Sequence, residues 1–192
     1  MKSILVAIAV AAAGSGALQA VGSIPRPDVP TNIEVGSEFK LIARGHAVGT
    51  QNYICAPVAG GSGVEWRFIG PQATLFDAGV QITTHFQSMN PSRNNEIQAT
   101  WQHSGDTSAV WATRFDGSLD SAYVAPGAIE WLLLEVMGTK TGPTAGNKMT
   151  TALYIHRVNT VGGLKPPAAE CTTATINSRR LVPYEADYYF YK

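Results

Sequence analysis

The 192-residue chain carries 14 Lys+Arg against 14 Asp+Glu, with 45% hydrophobic and only 15% charged residues. A charged fraction below the roughly 25% of average soluble proteins, with no net charge, offers no basic footprint to a phosphate backbone and argues against nucleic acid as a partner. The apolar fraction excludes a disordered chain, and the length suits one domain with its own core.

Residues 1–20 read as a secretory signal. Met1-Lys2-Ser3 supplies a cationic start, residues 4–13 an apolar run, and Gly14 to Ala20 a small-residue exit with cleavage expected after Ala17 or Ala20. The run is shorter than the roughly 20 residues that cross a bilayer, and no later run reaches that length, so no transmembrane segment is expected in the mature chain. Residues 21–37 form a Pro-rich segment in which Pro25, Pro27 and Pro30 forbid a continuing helix. Residues 38–192 read as a single β domain, and the expected location is secreted or periplasmic. Loss of Lys2 with the leader tips the balance to one net negative charge.

Two cysteines remain, Cys55 and Cys171. In an exported chain with no third cysteine, the simplest reading is one disulfide joining the first third of the domain to its last strands. Neither cysteine has a second Cys or His at ligand spacing, which speaks against a metal site built on them.

Helical periodicity is scarce. Short runs rich in Val, Ile, Thr, Tyr and Trp recur between Gly, Pro, Asn and Asp punctuation, which predicts an all-β antiparallel sandwich or barrel. Strands are expected over 38–44, 48–56, 65–70, 73–77, 80–86, 97–102, 110–114, 131–138, 151–160 and 186–191. Along 48–55 the alternation puts Gln51, Tyr53 and Cys55 on one face, so Gln51 needs a polar partner if that face is buried. The nearly continuous apolar run 131–136 suits a strand covered on both faces. The aromatic run 186–191 alternates two rings per face and suits a strand that closes the sheet. Residues 59–63, 89–95 and 138–147 read as loops.

A resemblance runs through Gly45-His46-Ala47-Val48-Gly49-Thr50-Gln51-Asn52-Tyr53-Ile54-Cys55, Trp66-Arg67-Phe68, Thr84-His85-Phe86, Ala99-Thr100-Trp101-Gln102-His103, Arg157-Val158-Asn159-Thr160-Val161-Gly162-Gly163 and the terminal aromatic run. In that order these segments resemble the exported family catalogued as domain of unknown function 3455, from about Phe39 onward. The resemblance implies a secreted or periplasmic single domain, found in bacteria and fungi, with no established activity. Some fungal relatives carry a malate dehydrogenase label, but no Gly-x-Gly-x-x-Gly turn opens a helix here. The chain departs from the family pattern by expanding residues 89–96 and by placing Gln102 where relatives carry an acid.

The likeness implies no reaction, so candidate chemistry rests on residue types. His85, Trp101, His103 and Asp106 are expected to share a ligand-binding surface, because Asp106 can orient an imidazole and Trp101 and Trp111 flank a polar turn that would leave them partly exposed. Trp66 and Trp131, in apolar strands, read as core. His46, His85 and His103 are the candidate ligands for copper or zinc, although no motif spacing links them. No Gly-x-Ser-x-Gly elbow is present, and the acids are too scattered to mark a glycosidase pair. Arg157 to Gly163 reads as a structural turn in which Arg157 meets an acid or a carbonyl. The expected role is a non-catalytic ligand-binding or cell-envelope structural domain, its ligand a carbohydrate or another small molecule, with no cofactor. The alternative is a small metal-dependent enzyme using the histidines.

Overall fold

The computed structural model describes residues 24–192. The expected leader, 1–20, and the first residues of the Pro-rich segment lie outside the described residues. Among the described residues eight strands run in order: β1 (Leu41–Pro57), β2 (Val64–Asp77), β3 (Val80–Asn90), β4 (Glu96–His103), β5 (Ala109–Ser118), β6 (Trp131–Lys140), β7 (Tyr154–Gly162) and β8 (Arg179–Tyr191). Each strand pairs antiparallel with the next, and β8 returns to β1, closing an up-and-down barrel. Of the sandwich and the barrel, the chain forms the barrel, whose closure pairs the first and last strands and so removes the sheet edges among the described residues.

Two pairs of predicted segments merge. Residues 38–44 and 48–56 fall largely within β1, and 65–70 and 73–77 within β2. Glycine and proline, read as breaks, have other uses here. A Cβ on Gly49 would lie 2.2 Å from the carbonyl oxygen of Gln72 and 2.5 Å from Ala73 Cα, so glycine permits the close approach of β1 and β2. Pro71 precedes the point where β2 begins to pair with β3, at Ala73, so its missing N–H costs no bond in that ladder.

Side chains alternate across the barrel wall. Leu75, Val110, Leu134, Ile155 and Phe190 pack with their neighbours in the main core. On β8, Tyr184, Ala186, Tyr188 and Phe190 are buried at every second position. The outer face of β6 and β7 is covered too: Trp131, Leu133 and Val158 pack with Val29, Ile33 and Val124 in a second core. This explains the continuous apolar run at 131–136, since the Pro-rich segment lies against one face and the barrel interior against the other.

That segment is tied down by polar contacts. Arg26 donates to the carbonyls of Val35 at 2.7 Å and Gly36 at 3.0 Å, and also to that of Phe39, while its guanidinium lies 5.3 Å from the centre of the Tyr191 ring. Buried His156 donates from Nε2 to the Ile33 carbonyl at 2.6 Å and accepts at Nδ1 from the Tyr191 hydroxyl at 3.1 Å. Burial holds its pKa down and keeps the imidazole neutral. A third cluster surrounds the disulfide Cys55–Cys171, which links positions 116 residues apart and packs with Tyr53 and Trp66. Among the described residues no helix is long and apolar enough to cross a membrane.

Candidate functional site

The β3–β4 register sets His85 opposite Trp101, and both are turned into the barrel. Their rings stack with centroids 4.1 Å apart and planes 9° apart. Tyr188 of β8 meets the two rings edge-on at 5.3 Å and 5.4 Å. His85 Nδ1–H donates to the Thr100 carbonyl at 2.9 Å, which fixes the tautomer and leaves Nε2 as an acceptor. Burial pushes the His85 pKa down to about 3, so the ring is neutral at ordinary pH. The hydroxyls of Tyr184 and Tyr188 lie 3.5 Å apart, and burial pushes both phenols up.

His85, Trp101 and Tyr188 line a cavity of about 300 Å³ to which all eight strands contribute. Gln51 of β1, Arg114 of β5, Leu132 of β6 and Arg157 of β7 extend its walls, and the exposed residues Phe68, Ile97 and Arg114 mark its solvent side. Three buried N–H donors of the lining find no hydrogen-bond partner among the described residues: Gln51 Nε2, Trp101 Nε1 and Arg157 Nε. Leaving such a donor unsatisfied costs about 1–3 kcal/mol, so three in one cavity call for a physical cause. Arg157 is anchored through Nη2, which donates to the Glu130 carbonyl at 3.0 Å. Arg114 pairs with the Glu130 carboxylate at 3.4 Å. Among the described residues the only charged groups in the lining are these two arginines.

The model of the family described as protein of unknown function (DUF3455) matches residues 36–192. The chain belongs to that family. No curated protein and no solved structure matches it.

The four residues expected on one ligand surface separate into two pairs. His85 and Trp101 line the cavity, whereas His103 and Asp106 do not. His103 ends β4, and its Nδ1 accepts from the backbone N–H of Gly105 at 3.0 Å and of Asp106 at 3.2 Å. The Asp106 carboxylate accepts from the Ser108 N–H and hydroxyl, at 3.1 Å and 2.7 Å, and from the Lys148 N–H at 2.9 Å. Desolvation pushes its pKa up, but these hydrogen bonds outweigh it and hold it at about 2. Asp106 thus clamps its own turn to the loop after β6.

The histidines do not gather. His46 is exposed on β1, held by Asp187 at 2.8 Å and Glu185 at 3.5 Å, while His85 is buried inside the barrel. Among the described residues no three His, Cys, Asp or Glu side chains are placed to hold a metal ion, so the structure does not assemble His46, His85 and His103 into a copper or zinc site. The expected partial exposure of Trp101 and Trp111 is also corrected, since they are only 1% and 6% exposed. The hairpin register turns Trp101 inward, and Trp111 is tied down by donating from Nε1 to the Ser88 hydroxyl at 2.8 Å. Neither offers an open ring face to a sugar.

Two cavity residues escaped the sequence reading as site residues. Gln51 left a trace, because it shares a face with Tyr53 and Cys55 and all three are buried. Arg157, expected to open a turn, lies inside β7, whose pairing with β8 continues to Gly162 across a register shift after Val158; the positive φ at Asn159, Gly162 and Gly163 and the contact of Arg157 with a carbonyl are present. Its unpaired Nε had no local signature.

Proposed function

We propose that this is an exported protein whose barrel binds a small organic molecule in its interior without transforming it. The observation that carries this reading is the set of unpaired donors on Gln51, Trp101 and Arg157 around one cavity. These donors are sealed from the open space of the cavity, so a ligand acceptor would reach them and relieve their desolvation cost once the lining side chains shift, and eight-stranded barrels are wide enough to hold one small ligand. The leader-like N-terminus and the Cys55–Cys171 disulfide support export to an oxidising compartment.

Binding rather than catalysis is favoured by the protonation states. A general base works best with a pKa near the operating pH, and His85 at about 3 is far below it. The Tyr188 phenol is displaced the other way, so neither group suits proton transfer at neutral pH. A cavity of only about 300 Å³ also favours a small molecule over a polysaccharide chain.

The test is a small-molecule screen on the oxidised protein, read by Trp fluorescence and by the melting temperature. A ligand of the folded state raises the melting temperature and perturbs the buried Trp101. Ala99 lines the cavity, and Ala99→Phe fills part of it, so a true hit loses its effect in that variant. Silence across the screen, or responses that survive in Ala99→Phe, would overturn the proposal and favour a structural role in the cell envelope.

A further inference from the structure

Resting on that binding reading, we infer that the ligand is a small organic acid: its carboxylate is held by Arg157, with Gln51 and Trp101 as further donors, and its apolar body lies against Phe68 and Leu132. The charge balance of the cavity carries the assignment. Arginine is a permanent cation, and the structure gives half-buried Arg157 a neutral partner, the Glu130 carbonyl, rather than an anion. The Glu130 carboxylate is engaged with Arg114 instead. Among the described residues no Asp or Glu lines the cavity, so nothing in its walls neutralises Arg157.

The polar inventory agrees. All three unpaired atoms are N–H donors, so the complementary group is rich in acceptors and carries no hydrogens of its own. A carboxylate meets that description, while an alcohol or sugar would add donors where none are needed. Arginine also suits a planar carboxylate geometrically, since its N–H groups form a fixed fork. Among the described residues Arg157 is the one charged group of the lining without a carboxylate partner, and one cation matches a monoanion better than a phosphate dianion. Phe68, Leu132 and Leu134 give the remainder of the ligand an apolar wall, and about 300 Å³ confines it to the small end of ligand size.

The experiment titrates the full-length oxidised protein, by calorimetry and Trp fluorescence, with phenylacetate, octanoate, phenylacetamide, phenethylamine and phenylphosphonate. Phenylacetate or octanoate is expected to bind at least about tenfold more tightly than the isosteric amide, and the amine not at all. Comparing the two acids shows whether the apolar body is an aromatic ring or an alkyl chain. In Arg157→Met the acid should lose at least about tenfold in affinity while the amide changes by less than about twofold. Arg157→Lys keeps the charge and should restore part of the acid's advantage, and the acid-to-amide ratio in the unmodified protein decides the matter even if Arg157→Met does not fold. Amide binding as tight as acid binding overturns the carboxylate assignment and leaves the small-molecule reading standing. Tighter binding of phenylphosphonate than of either carboxylate overturns it in favour of phosphate chemistry. If no probe binds while neutral compounds from the screen do, the inference fails alone; if the screen is silent as well, both fail.

Discussion

Lowering the pH from about 7 to about 4.5 protonates an ordinary histidine of pKa 6.5 but leaves His85 neutral, because burial holds its pKa at about 3. The sign follows from proton binding. Below about pH 6.5 the unfolded chain takes up a proton that the folded chain refuses, so the stability present above that pH falls as the medium is acidified. The loss runs at about 1.4 kcal/mol per pH unit and is complete only below the folded value near 3. Between about pH 7 and about pH 4.5 it amounts to about 2.5 kcal/mol, a large share of the 5–15 kcal/mol typical of a whole domain. Other groups add to the acid sensitivity, including His156, whose pKa is also held down by burial. The comparison that isolates His85 is with His85→Gln, which keeps a side-chain N–H for the Thr100 carbonyl but cannot titrate. Urea denaturation followed by Trp fluorescence at the two pH values should show the unmodified protein losing about 2.5 kcal/mol more than the variant. Equal losses would refute the reasoning, since they would mean that the folded barrel accommodates the charged imidazole inside its wall.

Replacing Cys55 and Cys171 by alanine should lower stability by about 4–5 kcal/mol in the chain-entropy model, given their separation of 116 residues; unchanged urea midpoints with and without the disulfide would contradict it. Asp106→Ala should cost about 1–3 kcal/mol at neutral pH, because Ser108 and Lys148 lose their acceptor. The stability that this carboxylate contributes is present above its unfolded pKa of 3.8 and is lost as the pH falls through about 2. Because Asp106 does not line the cavity, Asp106→Ala should leave ligand affinity unchanged, and a binding defect in a folded variant would contradict its structural role. Gly49→Val should destabilise the barrel by about 3 kcal/mol or more, since the new Cβ meets the Gln72 carbonyl oxygen at 2.2 Å; a melting temperature equal to that of the unmodified protein would rule out the close approach as the reason for glycine.

Much of the barrel is legible along the chain because a strand's side-chain period is two and local. The burial of Tyr188 and Phe190 on one face of the last strand, the doubly covered run at 131–136 and the shared face of Gln51, Tyr53 and Cys55 all follow from alternation. The pairing of Cys55 with Cys171 follows from their being the only two cysteines. Gln51 even announced a need, since a buried amide without a partner is costly.

What alternation could not say is which residues meet. His85 and Trp101 come together through hairpin register, and the same register leaves His103 beyond them, so a grouping based on closeness in sequence joined two separate places. Gln51 and Arg157 share a cavity because β8 bridges β1 and β7 when the barrel closes, a relation between distant strands with no local signature. The sequence by itself determined the all-β character, the disulfide and the inward faces, because each depends on residue type and a two-residue period. Only the tertiary structure decided that two predicted metal ligands lie on opposite sides of the barrel wall, and that an arginine read as part of a turn supplies an unpaired donor to the interior, because both depend on how the sheet closes.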